Sequence, residues 1–275
     1  MKRLFHANFI RLLRDKVFWL SSGILLTYTI IYMLNACRQE RSGLAGTHFL
    51  EDYYFRFTMF IGLFAAVFIT LYLSIEYSGG VMRNKIIAGH TRKNIYLSNL
   101  TLSFLASIFM TFMGLLGGLV GIPTFGVWKI SGFSIFCYML ILILFLLAFC
   151  AIFTFISMLL PNKSVGAVVT ILTFFGLLLM ASIMMNKLDQ PEMISDTILT
   201  MDGIQFSDPV PNPKYVGGKI RDLLDFAIDL LPAGQGARLS INEVHHPVRM
   251  LLSSAFISVF ATILGIFFFE KKDLK

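Results

Sequence analysis

Glu76-Tyr-Ser-Gly-Gly-Val-Met-Arg-Asn-Lys-Ile-Ile-Ala-Gly-His-Thr-Arg-Lys-Asn-Ile95 is an island of charge between two long apolar runs, one ending at Ile75 and the next beginning at Ile95. Gly79 and Gly80 open the island, and Val81 to Ala88 have room for two helical turns. Gly89 supplies the left-handed residue that ends such a helix. Arg83, Lys85, Arg92 and Lys93 make it basic, while Met82 and Ile86, at i and i+4, share one face. A short basic helix with an apolar knob, held at a membrane surface by two spans, is a shape for pressing on a partner.

The rest of the chain supplies the membrane. Of its 275 residues 56% are apolar and only 14% charged, against roughly 25% charged in soluble domains, and the mean hydropathy is +0.76. Six runs are long enough to span, since a hydrocarbon core of about 30 Å needs roughly 20 helical residues. They are Val17–Ala36, Phe57–Ile75, Ile95–Ile122, Ile130–Leu160, Ser164–Asn186 and Met250–Phe269. Pro123 with Gly126 closes the third run, and Pro161-Asn-Lys163 forms a tight turn after the fourth. The fold class expected is therefore an all-α membrane protein, with residues 1–275 forming one transmembrane domain.

Residues 1–16 read as an interfacial amphipathic helix, with Phe5, Phe9, Leu12 and Leu13 on one side and Arg3, Arg11 and Arg14 opposite. The run that follows, 20 residues long, exceeds a signal-peptide core of about 7–15. Short-loop lysines and arginines set the orientation. Thirteen fall on the side of the N-terminus, the island, Lys163 and the 270–275 tail, against Arg38, Arg41, Arg56 and Lys129 on the other. Both termini and the island are accordingly expected in the cytoplasm, and the +7 charge speaks for membrane orientation rather than nucleic acid. Cys37, Cys137 and Cys150 form no disulfide framework.

Residues 187–249 make a long external segment between spans five and six. It begins loop-like, with Pro191, Pro209, Pro211 and Pro213. Lys219 to Leu231 then forms an amphipathic helix. Its apolar side, including Leu223, Leu224, Ile228 and Leu231, is expected to face down onto a greasy surface, with Asp222, Asp225 and Asp229 upward in water. Those carboxylates are candidates for contact with a cationic substrate. Pro232, Gly234 and Gly236 break the pattern and read as a hinge. Gly114, Gly117, Gly118 and Gly121 are small residues at a helix contact, and His245-His246 read as loop histidines.

The chemistry is marked by absences. The six runs as drawn hold no Asp, Glu, Lys, Arg or His, with Glu76 at the very end of the second, which weakens an ion-coupled mechanism. Gly217-Gly218-Lys219 lacks the rest of a phosphate-binding loop. There is no metal cluster and no catalytic constellation, so energy is expected to arrive from another subunit.

Glu76, Gly79-Gly80, Arg83-Asn84-Lys85, Ala88-Gly89 and Thr91-Arg92, followed by the third span, resemble the first cytoplasmic loop of ABC type-2 transporter permeases. Leu231-Pro232-Ala-Gly-Gln-Gly before the last span is also similar to that family, as is the layout of nearly the whole chain. The resemblance implies a coupling helix at about 79–93 seated in a groove of an ATPase subunit. Its site residues would be Glu76, Val81, Met82, Arg83, Lys85, Ile86, Gly89 and Arg92. It also implies an inner-leaflet helix carrying Phe5, Phe9, Arg11, Leu12, Leu13 and Arg14, and short external helices before span six. Two ATPase chains, holding ATP and Mg2+, would serve two permease chains, identical or paired with a similar one, in a bacterial plasma membrane. The cargo expected is an amphipathic peptide, drug or lipid-like molecule, with antimicrobial-peptide export or immunity as the leading case. The length of residues 187–249 departs from a simple re-entrant pair. The alternatives are an ion-coupled secondary transporter, or a non-transporting anchor, sensor or intramembrane enzyme.

Overall fold

The computed structural model describes residues 2–42, 48–126, 128–160, 162–195, 197–200, 203–206 and 208–272. The turn residue Pro161 and the tail beyond Lys272 lie outside them. The chain is almost entirely helical, and six helical segments among the described residues are long and apolar enough to cross a membrane, as in a multi-pass membrane protein.

Helix α1 (Lys2–Leu13) precedes α2 (Lys16–Arg41), which holds the first of the six segments. The second comprises α3 (Leu50–Tyr54), a 3-10 turn at Arg56–Met59 and α4 (Ile61–Ser78). The island forms α5 (Val81–Ile87). The third segment is α6 (Arg92–Gly118), extended by a 3-10 turn and by α7 (Ile122–Phe125). Pro123 sits in the first turn of α7 and Gly126, at φ 75°, ends it. Helices α8 (Gly132–Leu159), α9 (Lys163–Leu188) and α12 (Pro247–Lys271) are the remaining three. At 26 residues, α9 is about 39 Å long, more than a hydrocarbon core requires.

Polar caps start these helices where the apolar pattern alone would not fix the boundary. The Asp15 carboxylate accepts from the amides of Val17 and Phe18 at the head of α2. Thr91, Ser131 and Asn162 do the same for α6, α8 and α9, satisfying amides that a helix leaves open at its N-terminus.

Inside lipid there is little hydrophobic gain in bringing helices together, so close backbone approach and interhelical hydrogen bonds must do it. Both are present. A β-carbon at Gly117 would lie 2.0 Å from Thr29 Oγ1 of α2, and one at Gly121 would lie 2.5 Å from Met33 Sδ. Gly114 and Gly118 seat Phe57 and Tyr54, where a β-carbon would lie 2.8 and 2.7 Å from the ring. Between α4, α8 and α9, Thr70 Oγ1 meets Ser157 Oγ at 3.0 Å and Thr170 Oγ1 at 2.9 Å. Helix α8 lies at the centre of the packing, with α12, α4 and α6 against it.

The segment between α9 and α12 is not the loop, single helix and hinge read from its sequence. It begins with two antiparallel ladders, β1 (Met193–Ile194) with β4 (Val210–Pro211) and β2 (Thr197–Thr200) with β3 (Gly203–Phe206). Then come α10 (Gly218–Leu230) and α11 (Pro232–Ser240). Pro232, Gly234 and Gly236 are no hinge, because they belong to α11, and every residue of α11 is buried. Proline in the first turn starts a helix without losing a hydrogen bond, and the glycines are close-approach points. A β-carbon at Gly236 would lie 2.8 Å from the Thr58 carbonyl, and the Thr58 hydroxyl donates to the Gly236 carbonyl at 2.8 Å. Helix α11 is thus inserted among the 3-10 turn, α8 and α9.

Candidate functional site

The island lies where the end of α4, the start of α6 and the ends of α8 and α12 meet. Its centre is Glu76, which is fully buried. Its Oε1 receives Arg11 Nη1 of α1 at 2.7 Å and Lys85 Nζ of α5 at 2.5 Å, and its Oε2 accepts from Asn99 Nδ2 of α6 at 2.8 Å. One carboxylate therefore binds α4 to three other helices. Burial pushes the Lys85 ammonium below its ordinary pKa, while Glu76 opposes that shift. Helix α1 is fixed further by Asn8, whose Nδ2 donates to Ser98 Oγ at 3.2 Å and whose carbonyl accepts from Tyr72 OH at 3.1 Å. The Arg11 guanidinium lies over the Tyr72 ring at 4.2 Å.

Two features of α1 differ from the wheel drawn from sequence. Arg11 turns inward to Glu76, while Leu13 is exposed. The buried line is Leu4, Asn8 and Leu12, with Phe5 and Phe9 half-buried and stacked on each other. Arg14 is exposed. A charged side chain prefers the polar arc only until it finds a buried counter-ion, and Glu76 is that counter-ion.

Helix α5 is framed as its glycines require. Gly80 and Gly89 take left-handed φ values of 66° and 85°. Past the end of the helix, His90 N donates to the Lys85 carbonyl and Gly89 N to that of Ile86, a glycine-closed C-terminus. The outward face is not the one expected. Met82 is buried in the core and Ile86 is half-buried, as is Val81. The exposed tip is Arg83, Asn84, Ile87 and Ala88, with Ile87 75% exposed. Met82 and Lys85 are therefore anchors of α5. Ile87, adjacent in sequence to the expected knob residue Ile86, is the apolar group that reaches outward.

Arg92 is also committed within the chain. Its Nη1 donates to the carbonyls of Phe269 at 3.3 Å and Glu270 at 2.8 Å, and to that of Lys272. It thus caps the C-terminus of α12, where positive charge is favoured. Lys272 Nζ donates to the Met158 carbonyl at 2.9 Å and sits over the Tyr77 ring at 4.4 Å. Burial pushes Lys272 down to about 8. Tyr77 OH donates to the same Met158 carbonyl, so α4, α8 and α12 are tied beside the island.

The acidic face of α10 lies at the other end of the bundle, and it is not a solvated arc. Asp229 is fully buried and Asp225 half-buried. Arg238 Nη1 meets Asp229 Oδ1 at 2.8 Å and its Nη2 meets Asp225. Arg249 Nε donates to Asp229 Oδ2 at 2.6 Å, and its Nη2 pairs with both carboxylates. These four residues join α10, α11 and α12. Burial works to raise the Asp225 carboxyl, and hydrogen bonds from Arg238 and Arg249 overcome it, holding it below the ordinary value. At Asp229 burial outweighs the same two arginines and leaves the carboxyl raised. Only Asp222 of the three is exposed. Ile228 is buried and Leu224 half-buried, but Ile220, Leu223 and Phe226 are exposed, so the helix is rolled relative to the expected orientation. Its roll is set by two arginines, 9 to 24 residues along the chain. No group of residues able to hold a metal ion occurs among the described residues.

Compared with protein-family models and with curated proteins, the chain matches none at a significant level. Its class rests on the fold, a six-span helical bundle with a polar node at one end and an inserted helical hairpin at the other.

Proposed function

We propose that the chain is the permease subunit of an ATP-driven exporter of the ABC type-2 kind, and that a separate ATPase presses on the tip of α5. The observation that carries this is the Glu76 node. A two-turn helix with an exposed basic and apolar tip is fixed at its base to α1, α4 and α6 through one buried carboxylate and its partners. A push on Ile87 and Arg83 is thereby delivered to the bundle and not absorbed by a loose loop. In this account the island and both termini are cytoplasmic, the α10–α11 hairpin faces outward, and the membrane is a bacterial plasma membrane. Two permease chains and two ATPase chains, the latter holding ATP and Mg2+, form the working unit. The cargo is an amphipathic molecule, with antimicrobial peptides as the leading class.

A photo-crosslinking amino acid tests the contact. Placed at Ile87 in the full chain, co-expressed with a candidate ABC ATPase subunit, it is expected to yield a permease–ATPase adduct. The same group at buried Met82 should yield only crosslinks within the chain. Failure of Ile87, Arg83 and Asn84 to reach any ATPase would overturn the assignment.

A further inference from the structure

Two cavities of opposite character adjoin beside the α10–α11 hairpin, and His245 and His246 line both. The first is a groove of about 760 Å3 between α10 and α12, with walls including Phe226, Leu230, Val248, Leu252 and Phe256. Val248, Leu252 and Phe256 recur every four residues on α12, each more than 60% exposed, so the groove opens along the apolar side of that span. The second is a basin of about 590 Å3 whose lining includes four carboxylates, Asp189, Asp222, Asp225 and Glu243, against two guanidiniums, Arg221 and Arg238.

Engagement of the charges decides the sign of what fits. Arg238 and Arg249 are bound by Asp225 and Asp229. Arg221 donates to the Leu188 carbonyl at 2.8 Å and lies over the Tyr215 ring. No described side chain pairs with Asp189, Asp222 or Glu243. The basin's cations are therefore satisfied within the fold, and three of its carboxylates are not. Both cavities are of ligand size, for which about 300–1,000 Å3 is usual.

We infer that this paired cavity binds a cationic amphiphile, with the cationic head in the basin and a linear apolar tail in the groove along α12. Arg249 lines the groove and its partner Asp225 the basin, and His245 and His246 line both. This deepens the transport assignment, resting on it only for what happens to the ligand afterwards. Binding itself requires no ATPase.

The full chain in phosphatidylcholine nanodiscs, without any ATPase, provides the test. The probe is a dansyl-tagged dodecyl quaternary ammonium, followed by fluorescence anisotropy against empty nanodiscs. Saturable binding is expected, displaced by dodecyltrimethylammonium and not by tetramethylammonium or dodecyl sulfate. D222N with E243Q should weaken it about tenfold, and F226A with F256A at least fivefold. Asp222 and Glu243 are exposed with no described side-chain partner, so the unfolding midpoint of D222N with E243Q should be unchanged. The Arg249 guanidinium lies over the Phe226 ring at 5.8 Å and Phe256 stacks on Phe260, so F226A with F256A is read only where its midpoint matches the parent. Equal displacement by dodecyl sulfate, unchanged affinity in folded variants, or no uptake above empty nanodiscs would overturn the inference. Normal binding with no ATP-driven release would count against the transport assignment alone.

Discussion

At the scale of residues, Glu76 has the most to lose. Removing one member of a buried ion pair costs about 3–5 kcal/mol, because the partner's charge is left uncompensated. Glu76→Gln leaves both Arg11 and Lys85 without their counter-ion, so its unfolding midpoint should fall by several degrees in detergent. Adding Lys85→Met should recover part of the loss, since one of the stranded charges is gone. An unchanged midpoint in the single variant would show that the pairs contribute nothing. Gly117 is as intolerant for a steric reason. Gly117→Val should separate α2 from α6, lowering the yield of folded protein, and Thr29→Ala, which removes the nearest atom, should restore part of it. A folded yield for Gly117→Val equal to the parent chain would refute that contact.

At the scale of elements, α5 divides into an anchor and a tip, and substitutions should follow that division. Burying a Met side chain contributes about 1.5–3 kcal/mol. Met82→Asp should therefore lower expression and stability by placing a charge in the core. Ile87→Asp with Arg83→Glu should leave both unchanged and uncouple the ATPase from substrate. Helix limits were legible here, since Gly80 and Gly89 mark them in the sequence. The direction of the exposed face was not, because a two-turn helix has no periodicity long enough to show which side its neighbours cover. Pro232 to Gly236 misled for another reason. Proline and glycine mark breaks in an isolated pattern, but at a helix start and at close contacts they belong to a packed element. On α10 Asp225 and Asp229 face inward because Arg238 and Arg249 wait there, and no local pattern can report partners that far along the chain.

At the scale of the whole molecule, the six spans were legible with ends displaced by up to seven residues, the second beginning at Leu50 and not Phe57, because lipid demands about 20 apolar residues whatever their packing. Most of the difference lies at the ends, where caps such as Asp15 and Thr91 lie outside the apolar runs. The sidedness proposed from the basic residues is directly checkable in a chain lacking Cys37, Cys137 and Cys150. Single cysteines replacing Ser42 or Glu243 should react with an impermeant thiol reagent in intact cells. One replacing Asn84 should react only after permeabilisation, and its reaction in intact cells would invert the topology.

The most direct test of energy entering through α5 is the ATPase rate of the permease–ATPase complex in proteoliposomes, with and without a cationic amphipathic peptide. The parent complex should hydrolyse ATP faster with the peptide present. The same complex carrying Ile87→Asp and Arg83→Glu, with its permease fully folded, should lose that stimulation altogether. Equal stimulation in the two complexes would contradict the account.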